Sequence, residues 1–403
     1  MAKPEIRLKG FEGEWKEKPL LDVVTLYNGL TYSPSDIRDR GTLVLRSSNV
    51  QDGEISLLDN VYVKNEVATS PNVKVGDIIV VVRNGSRALI GKHAQIKEIM
   101  PNTVIGAFMA GMHTEEPEFM NALLSTSLFD NEVNKNLGAT INQITNGTFR
   151  SMTFKFPSKE EQQVLGSYFL NLDSMLQSTT KKIASLKQMK QACLVSMFPQ
   201  AGETTPRVRF KGFEGEWKFV KLGSLCEKIT RKASVDTKAP VMMISASSGF
   251  INQSEKYSTD NAGQSLAKYT LLYMGEMAYN HGASKIRKYG SCFALDRKEA
   301  RVPFVYHTFK LLKDDSYFFA YYLNSGIFDS ELRKVVSSTA RMDGLLNISY
   351  ETYMNLNVYR PAYEEQQRIA SYFRILDKQI SLQEQRLEKL KQIKAACLDK
   401  MFV

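Results

Sequence analysis

Two short stretches hold side chains that could engage an anionic, information-bearing partner. In the first, Gly76-Asp77-Ile78 leads through an apolar run into Arg83-Asn84-Gly85-Ser86-Arg87, with Lys92 soon after. In the second, Gly275-Glu276-Met277 leads into Asn280-His281-Gly282-Ala283-Ser284-Lys285, followed by Arg287 and Lys288. Guanidinium and ammonium groups neutralise phosphates, and Arg, Asn, Lys and Ser also reach base edges. From Arg83 through Lys97 there are four basic residues and no acidic one. Either stretch alone reads most simply as a solvated basic turn. Recurrence after the same Gly-acid-apolar signal favours contact with nucleic acid. A further pair, Asn142-Gln143 and Arg341, supplies side chains able to make bidentate contacts with purines, although single polar residues of this kind are ordinary in loops.

No reaction centre accompanies them. The four His (His93, His113, His281, His307) form no HExxH motif and pair with no Cys at metal spacing. Gly91-Lys92-His93 lacks the upstream Gly and the Ser/Thr of a phosphate-binding loop, and there is no Gly-x-Ser-x-Gly elbow. No Pro-Pro occurs, so the Asn/Asp-Pro-Pro-Tyr segment of amino-group methylation is missing. Glu14-Trp15-Lys16 and Glu216-Trp217-Lys218 look like the end of a nuclease site but lack its partner acid. The expectation is a non-catalytic chain with no cofactor or metal of its own.

At 403 residues, 43% hydrophobic and 24% charged, the chain is too long for one core and too apolar for disorder, so three or four structural units are expected. A balance of 53 Lys+Arg against 43 Asp+Glu gives +10, which permits a polyanionic partner. The scattered Cys193, Cys226, Cys292 and Cys397 suggest a reducing, cytoplasmic setting. The first residues lack the apolar core of a signal peptide, and runs such as Ile78 to Val82 are too short to cross a membrane.

The segments that flank the two basic stretches are themselves duplicated. Lys9-Gly-Phe-Glu-Gly-Glu-Trp-Lys16 recurs unchanged as Lys211 to Lys218, which reads as a packed turn anchored by Trp15 and Trp217. Ser158 to Phe198 recurs without gaps as Ala362 to Phe402: Glu160-Glu161-Gln162-Gln163 falls on Glu364-Glu365-Gln366-Gln367, Asp173 on Asp377, and Met197-Phe198 on Met401-Phe402. Apolar residues in both copies repeat near every 3.5 positions, the spacing of a helix packed along another helix. One row reads Leu165, Leu172, Thr179, Leu186, Cys193, with Tyr168 or Phe169, Met175 or Leu176, Ile183, Met189 and Met197 between. The other reads Ile369, Leu376, Gln383, Leu390, Cys397, with Phe373, Ile380, Leu387, Ile393 and Met401 between. Each helix would be roughly 60 Å long. The interiors have diverged. Thr42 to Arg46, Val73 to Val82, Val241 to Ser245 and Val302 to Leu312 are β-rich; Asp52-Gly53, Asn84-Gly85, Ser248-Gly249 and His281-Gly282 signal turns; Glu118 to Phe129 and Tyr317 to Ser325 are helical.

With turn, divergent module and Glu-Glu-Gln-led helix each present twice, the chain closely resembles the specificity (S) subunit of type I restriction-modification systems along essentially its whole length. The sharpest signals are Glu160-Glu161-Gln162 through Met197-Phe198 with their copy, Leu45-Arg46-Ser47-Ser48-Asn49, and Gly76-Asp77 to Gly91; in the second module Val241 to Ser248 replaces the Arg-Ser-Ser-Asn pattern. The resemblance implies an α+β fold, a tandem pseudo-twofold duplication of two mixed α/β target-recognition domains joined by two long antiparallel coiled-coil helices. The divisions would be residues 1–157 and 201–361 for the domains, 158–200 and 362–403 for the helices. Each domain would read one half of a bipartite, asymmetric double-stranded DNA site, and the helices would set the gap. Arg46, Ser47, Ser48, Asn49 and Ser245 join the basic turns as expected DNA contacts. Two modification subunits carrying S-adenosylmethionine and methylating adenine N6, and two restriction subunits using ATP and Mg, would dock on it. The rival expectation is a coiled-coil scaffold with two peptide-binding modules.

Overall fold

The computed structural model describes residues 3–137, 142–200, 202–234, 237–255, 268–282, 284–336, 346 and 348–403. The chain forms two compact units, Met1–Lys181 with Gln385–Val403, and Lys182–Glu384. The division therefore cuts through both long helices. Each unit holds one module, the first part of one helix and the last part of the other.

In the first unit β1 (Lys16–Pro19) pairs antiparallel with β9 (Thr153–Phe156). An antiparallel sheet runs in the order β2 (Thr25–Asn28), β8 (Met109–His113), β5 (Ile78–Val81), β6 (His93–Gln95). A second sheet sets β7 (Thr103–Ile105) parallel to β3 (Thr42–Leu45), with β4 (Val61–Val63) antiparallel beyond it. Every residue of β5 is buried, because Ile78 and Val80 face one core and Ile79 and Val81 another. That is why its sequence is continuously apolar instead of alternating. Asp52 and Gly53, at φ 52° and 77°, form the two-residue turn between strands 50–51 and 54–55, the left-handed geometry that Asp-Gly favours. The helical stretch after β8 is two helices, α1 (Pro117–Leu124) and α2 (Ser127–Asn136).

The second unit repeats this plan. β10 (Lys218–Lys221) pairs with β19 (Asn357–Arg360), and a sheet runs in the order β11 (Cys226–Lys228), β18 (His307–Leu311), β15 (Met277–Asn280), β16 (Ser291–Ala294). In place of the second sheet stand two antiparallel pairs, β12 (Met242–Ser245) with β13 (Gly249–Asn252) and β14 (Thr270–Tyr273) with β17 (Glu299–Val302), and the parallel pairing is reduced to a bridge between Val241 and Arg301. The β-rich stretch from Val302 thus straddles a turn. Helices α4 (Ser316–Leu323) and α5 (Gly326–Val335) match α1 and α2.

The long helices are α3 (Lys159–Ser196) and α6 (Tyr363–Lys400), each of 38 residues. In the first unit Leu165, Phe169 and Leu172 share a core with Leu390, Cys397, Met401 and Phe402; in the second Leu186, Cys193 and Met197 share one with Ile369, Phe373 and Leu376. Lys394 Nζ meets Asp173 Oδ1 and Lys190 Nζ meets Asp377 Oδ1, both at 2.5 Å, and together with the pairs Tyr168–Cys397 and Tyr372–Cys193 they make the segments in each unit antiparallel. Tyr168 Oη lies 3.4 Å from Cys397 Sγ, as Tyr372 Oη does from Cys193 Sγ. This contact, ahead of burial, pushes both tyrosine hydroxyls up to about 12. Burial chooses Phe169 over Tyr168 and Leu176 over Met175 for the stripe, and leaves Met175, Met189 and Ile393 exposed. Met189 and Ile393 depart from the expected rows because a 3.6-residue turn drifts out of a strict 3.5 repeat. Thr179 is buried in the stripe and satisfies its hydroxyl on Met175 O at 2.7 Å.

The repeated turn is a latch. Trp15 packs edge-on against Phe119 and Phe402, and Trp217 against Phe318 and Phe198. Arg7 clamps Glu161 with two hydrogen bonds of 2.7 and 2.8 Å and donates to Gly13 O and Glu12 O; Arg209 does the same with Glu365, Gly215 O and Glu214 O. Glu161 and Glu365 are each 1% exposed. A buried carboxylate demands such a partner.

Candidate nucleic-acid interface

The Gly-acid signal sets the entry to the central strand of each module. Gly76 and Gly275 take φ of 93° and 83°, conformations that only glycine adopts without strain. The acid that follows caps the turn: Asp77 Oδ2 accepts from Lys74 N at 2.9 Å and from Tyr27 Oη at 2.8 Å, and Glu276 Oε2 accepts from Tyr273 N at 2.7 Å. Burial, reinforced by Asp77, drives the Tyr27 hydroxyl strongly upward, so it stays a donor. The strand is thereby fixed at one end and delivers its basic turn at the other.

In the first unit that turn gathers residues far apart in sequence. Val82 O accepts from Ile144 N at 2.8 Å, and Arg83 forms an isolated antiparallel bridge with Gln143. Asn84 Nδ2 donates to Ser47 Oγ at 3.1 Å, Asn84 Oδ1 accepts from Ser86 N at 3.0 Å, and Asn142 Nδ2 donates to Gly85 O at 3.3 Å. Arg83, Ser86, Arg87 and Lys92 are exposed, and neither Arg87 nor Lys92 has an acidic partner among the described residues. Arg46 reaches Asp59 Oδ2 at 2.9 Å and remains partly exposed. Ser48 Oγ is buried. Asn49 corrects an expectation: it is 0% exposed, Oδ1 accepts from Arg46 N, and Nδ2 donates to Ser56 O and Asp59 O. Its amide is consumed in shaping the turn.

The second unit brings together the corresponding strand ends with different chemistry. Asn280 Nδ2 donates to Ile244 O at 3.4 Å, beside Ser245, whose hydroxyl lies 3.2 Å from Ser247 Oγ. His281 O accepts from Leu346 N, and the His281 ring nitrogens lie 2.9 Å from Leu346 O and Val305 O. Lys285 and Lys288 are exposed, Lys288 Nζ standing 5.6 Å from the Tyr289 ring centroid. Arg287 is a second correction. It is clamped on Asp329 at 2.7 and 3.2 Å and donates to Gly290 O, while burial raises the Asp329 carboxyl against the pull of that cation. Withdrawing Arg287 would strand a half-buried carboxylate. Ser284 Oγ is likewise used, accepting from Arg287 N at 3.0 Å. Arg341 lies outside the described residues.

The sequence pattern did not mark Phe108. Its carbonyl accepts from Val82 N and Arg83 N, and its exposed ring lies 5.1 Å from the Arg83 guanidinium carbon. The available signal was its place in a Gly-containing turn between two apolar strands. Among the described residues no group of acidic, His or Cys side chains could hold a metal, and no helix is long and apolar enough to cross a membrane.

The chain matches the type I restriction modification DNA specificity domain twice, over residues 12–188 and 214–392. It is 26% identical over 224 residues to the StySPI type I restriction enzyme specificity subunit of Salmonella potsdam, covering 52% of this chain and 48% of that protein. It is 27% identical over 196 residues to the EcoKI type I restriction enzyme specificity subunit of Escherichia coli (strain K12), covering 46% and 41%. The matches thus span about half the length of these curated relatives. In fold it is similar to the type I restriction-modification S subunit from M. genitalium, with a TM-score of 0.62 and 13% identity over 100% of this chain and 99% of that one. Two domain matches that together take in most of the sequence, on a fold shared from end to end, make this chain a member of the type I restriction modification DNA specificity family.

Proposed function

We propose that this chain is the DNA-reading subunit of a type I restriction-modification complex and performs no chemistry itself. The modules, residues 1–157 and 201–361, are two target-recognition domains, each reading one half of a bipartite, asymmetric DNA site. The long helices set the unread gap. Modification subunits that bind S-adenosylmethionine and methylate adenine N6 dock on the repeated regions, two per complex, and two ATP- and Mg-dependent restriction subunits complete it. In the first domain the reading residues are Arg46, Ser47, Arg83, Asn84, Ser86, Arg87, Lys92, Asn142 and Gln143. In the second they are Ser245, Asn280, Lys285 and Lys288.

The observation that carries this reading is the convergence of Ser47, Asn84 and Asn142 on one strand end, with exposed Arg83 and Arg87 beside them. Three polar segments brought to one rigid point with unneutralised cations suit base-edge contacts flanked by phosphate contacts. A peptide-binding module has no need of that combination. The test is co-expression with a modification subunit, followed by genome-wide mapping of N6-methyladenine. The expected result is a new methylated motif with two unlike halves and a fixed gap. No new methylation from an assembled complex, or one contiguous motif, would overturn the proposal.

A further inference from the structure

Each module holds a phenylalanine in water on a turn that has no slack. In the first unit the turn Gly106 to Met109 is closed by Met109 N donating to Gly106 O at 2.9 Å. Gly106 N donates to Leu45 O at 2.8 Å, directly before Arg46, and Phe108 O is held by Val82 N and Arg83 N. In the second unit Tyr306 N donates to Pro303 O at 3.1 Å, Ile244 N donates to Tyr306 Oη at 3.2 Å, and Val305 O faces His281 Nε2. Each turn is thus tied to the same two strand ends that carry the proposed reading residues. Phe108 and Phe304, at neighbouring positions of these equivalent turns, are each 52% exposed. A ring fixed outward forgoes the stabilisation that burial would give. The surrounding modules have diverged in sheet pairing and in polar side chains, yet an exposed ring recurs on this turn.

We propose that Phe108 and Phe304 are base-contacting residues, each packing on the 5-methyl group of a thymine in its own half-site. The inference rests on the DNA-reading function proposed above. The Asn and Gln side chains of the same strand end suit purine edges in the major groove, and the thymine methyl is the apolar feature displayed there. Arg83, leaning on the Phe108 ring, holds a cation and an apolar plate in one rigid group.

The test uses the complex with its modification subunit and the mapped target, with each thymine of the site replaced singly by deoxyuridine. Loss of one buried methyl is expected to weaken wild-type binding about fourfold at one position in each half. Phe108→Ala should bind the thymine and deoxyuridine duplexes of the first half equally, and Phe304→Ala those of the second. Phe108→Leu should keep part of the discrimination, and thermal midpoints should not move. The inference is overturned if Phe108→Ala discriminates every deoxyuridine as the wild type does, if the first half contains no thymine on either strand, or if the variant only lowers the midpoint. It is also overturned if the variant abolishes DNA bending with no deoxyuridine effect, the mark of a minor-groove wedge. Failure of the wild-type complex to prefer any sequence would sink the DNA-reading function itself, and this inference with it.

Discussion

Arg83 and Arg87 are exposed and lie outside the ion-pair network that employs Arg287. In the proposed function each contacts phosphate, so Arg83→Ala and Arg87→Ala should each lower the slope of log affinity against log salt by about 0.9. Arg287→Ala should leave that slope unchanged and instead destabilise the second unit. Titration of binding across a salt series separates the two. The basic types, their spacing and their recurrence were legible in the sequence; the partner that takes Arg287 out of the set was not. Asp329 lies on a helix 42 positions away, and no local pattern links the two. Asn49 was misjudged for a related reason, since an amide that shapes a turn and one that reads a base are the same residue on paper. His93 gives a pH test. Burial lowers its pKa in the folded state, so below about 6.5 the unfolded chain takes up a proton that the folded one refuses. Stability is complete above that value and declines as pH falls toward the folded one. A thermal midpoint that drops between pH 7 and 5, with a smaller drop in His93→Gln, is the expected outcome.

At the scale of elements, the duplicated network explains why the sequence repeats where it does. Arg7–Glu161 and Arg209–Glu365 tie each turn to the first turn of a long helix, and Trp15 and Trp217 seat against it the Phe that follows the end of the other, Phe402 and Phe198. Glu161→Ala releases the latch, leaving Arg7 only its contacts to Gly13 O and Glu12 O, and should be read as a lower urea midpoint for the first unit; Arg7→Ala, which strands the buried Glu161 carboxylate, should lower it further. Glu365→Ala should do the same in the second. The helices were legible from period alone because tertiary packing and local propensity agree over 38 residues. The sheets were less so: Val302 to Leu312 is uniformly β-rich, yet a turn at Pro303 divides it between two pairings. Which strand pairs with which is a long-range matter that alternation does not encode. In the proposed function the helices are rulers. Deleting residues 177–183 and 381–387 shortens each by about 10 Å while keeping the stripes in phase, close to three base-pair steps of about 3.4 Å. Methylation mapping should return a gap about three base pairs shorter. An active variant with an unaltered gap would contradict the ruler.

For the molecule as a whole, the organising fact is one plan built twice with unlike contents. The sheet order β2-β8-β5-β6 recurs as β11-β18-β15-β16, and the latches and helix ion pairs recur residue for residue. The basic turns at the ends of β5 and β15 differ in nearly every side chain. A frame retained in both copies and modules that diverge are what the proposed asymmetric bipartite target requires. In the proposed function each module reads its own half of the site, which can be checked by replacing residues 218–361 with a second copy of residues 16–157. Mapping of N6-methyladenine in cells carrying this chain and the modification subunit should show a site whose two halves are both the original first half. Persistence of the original second half, in a chain that no longer contains the module assigned to it, would rule out independent reading by the two modules.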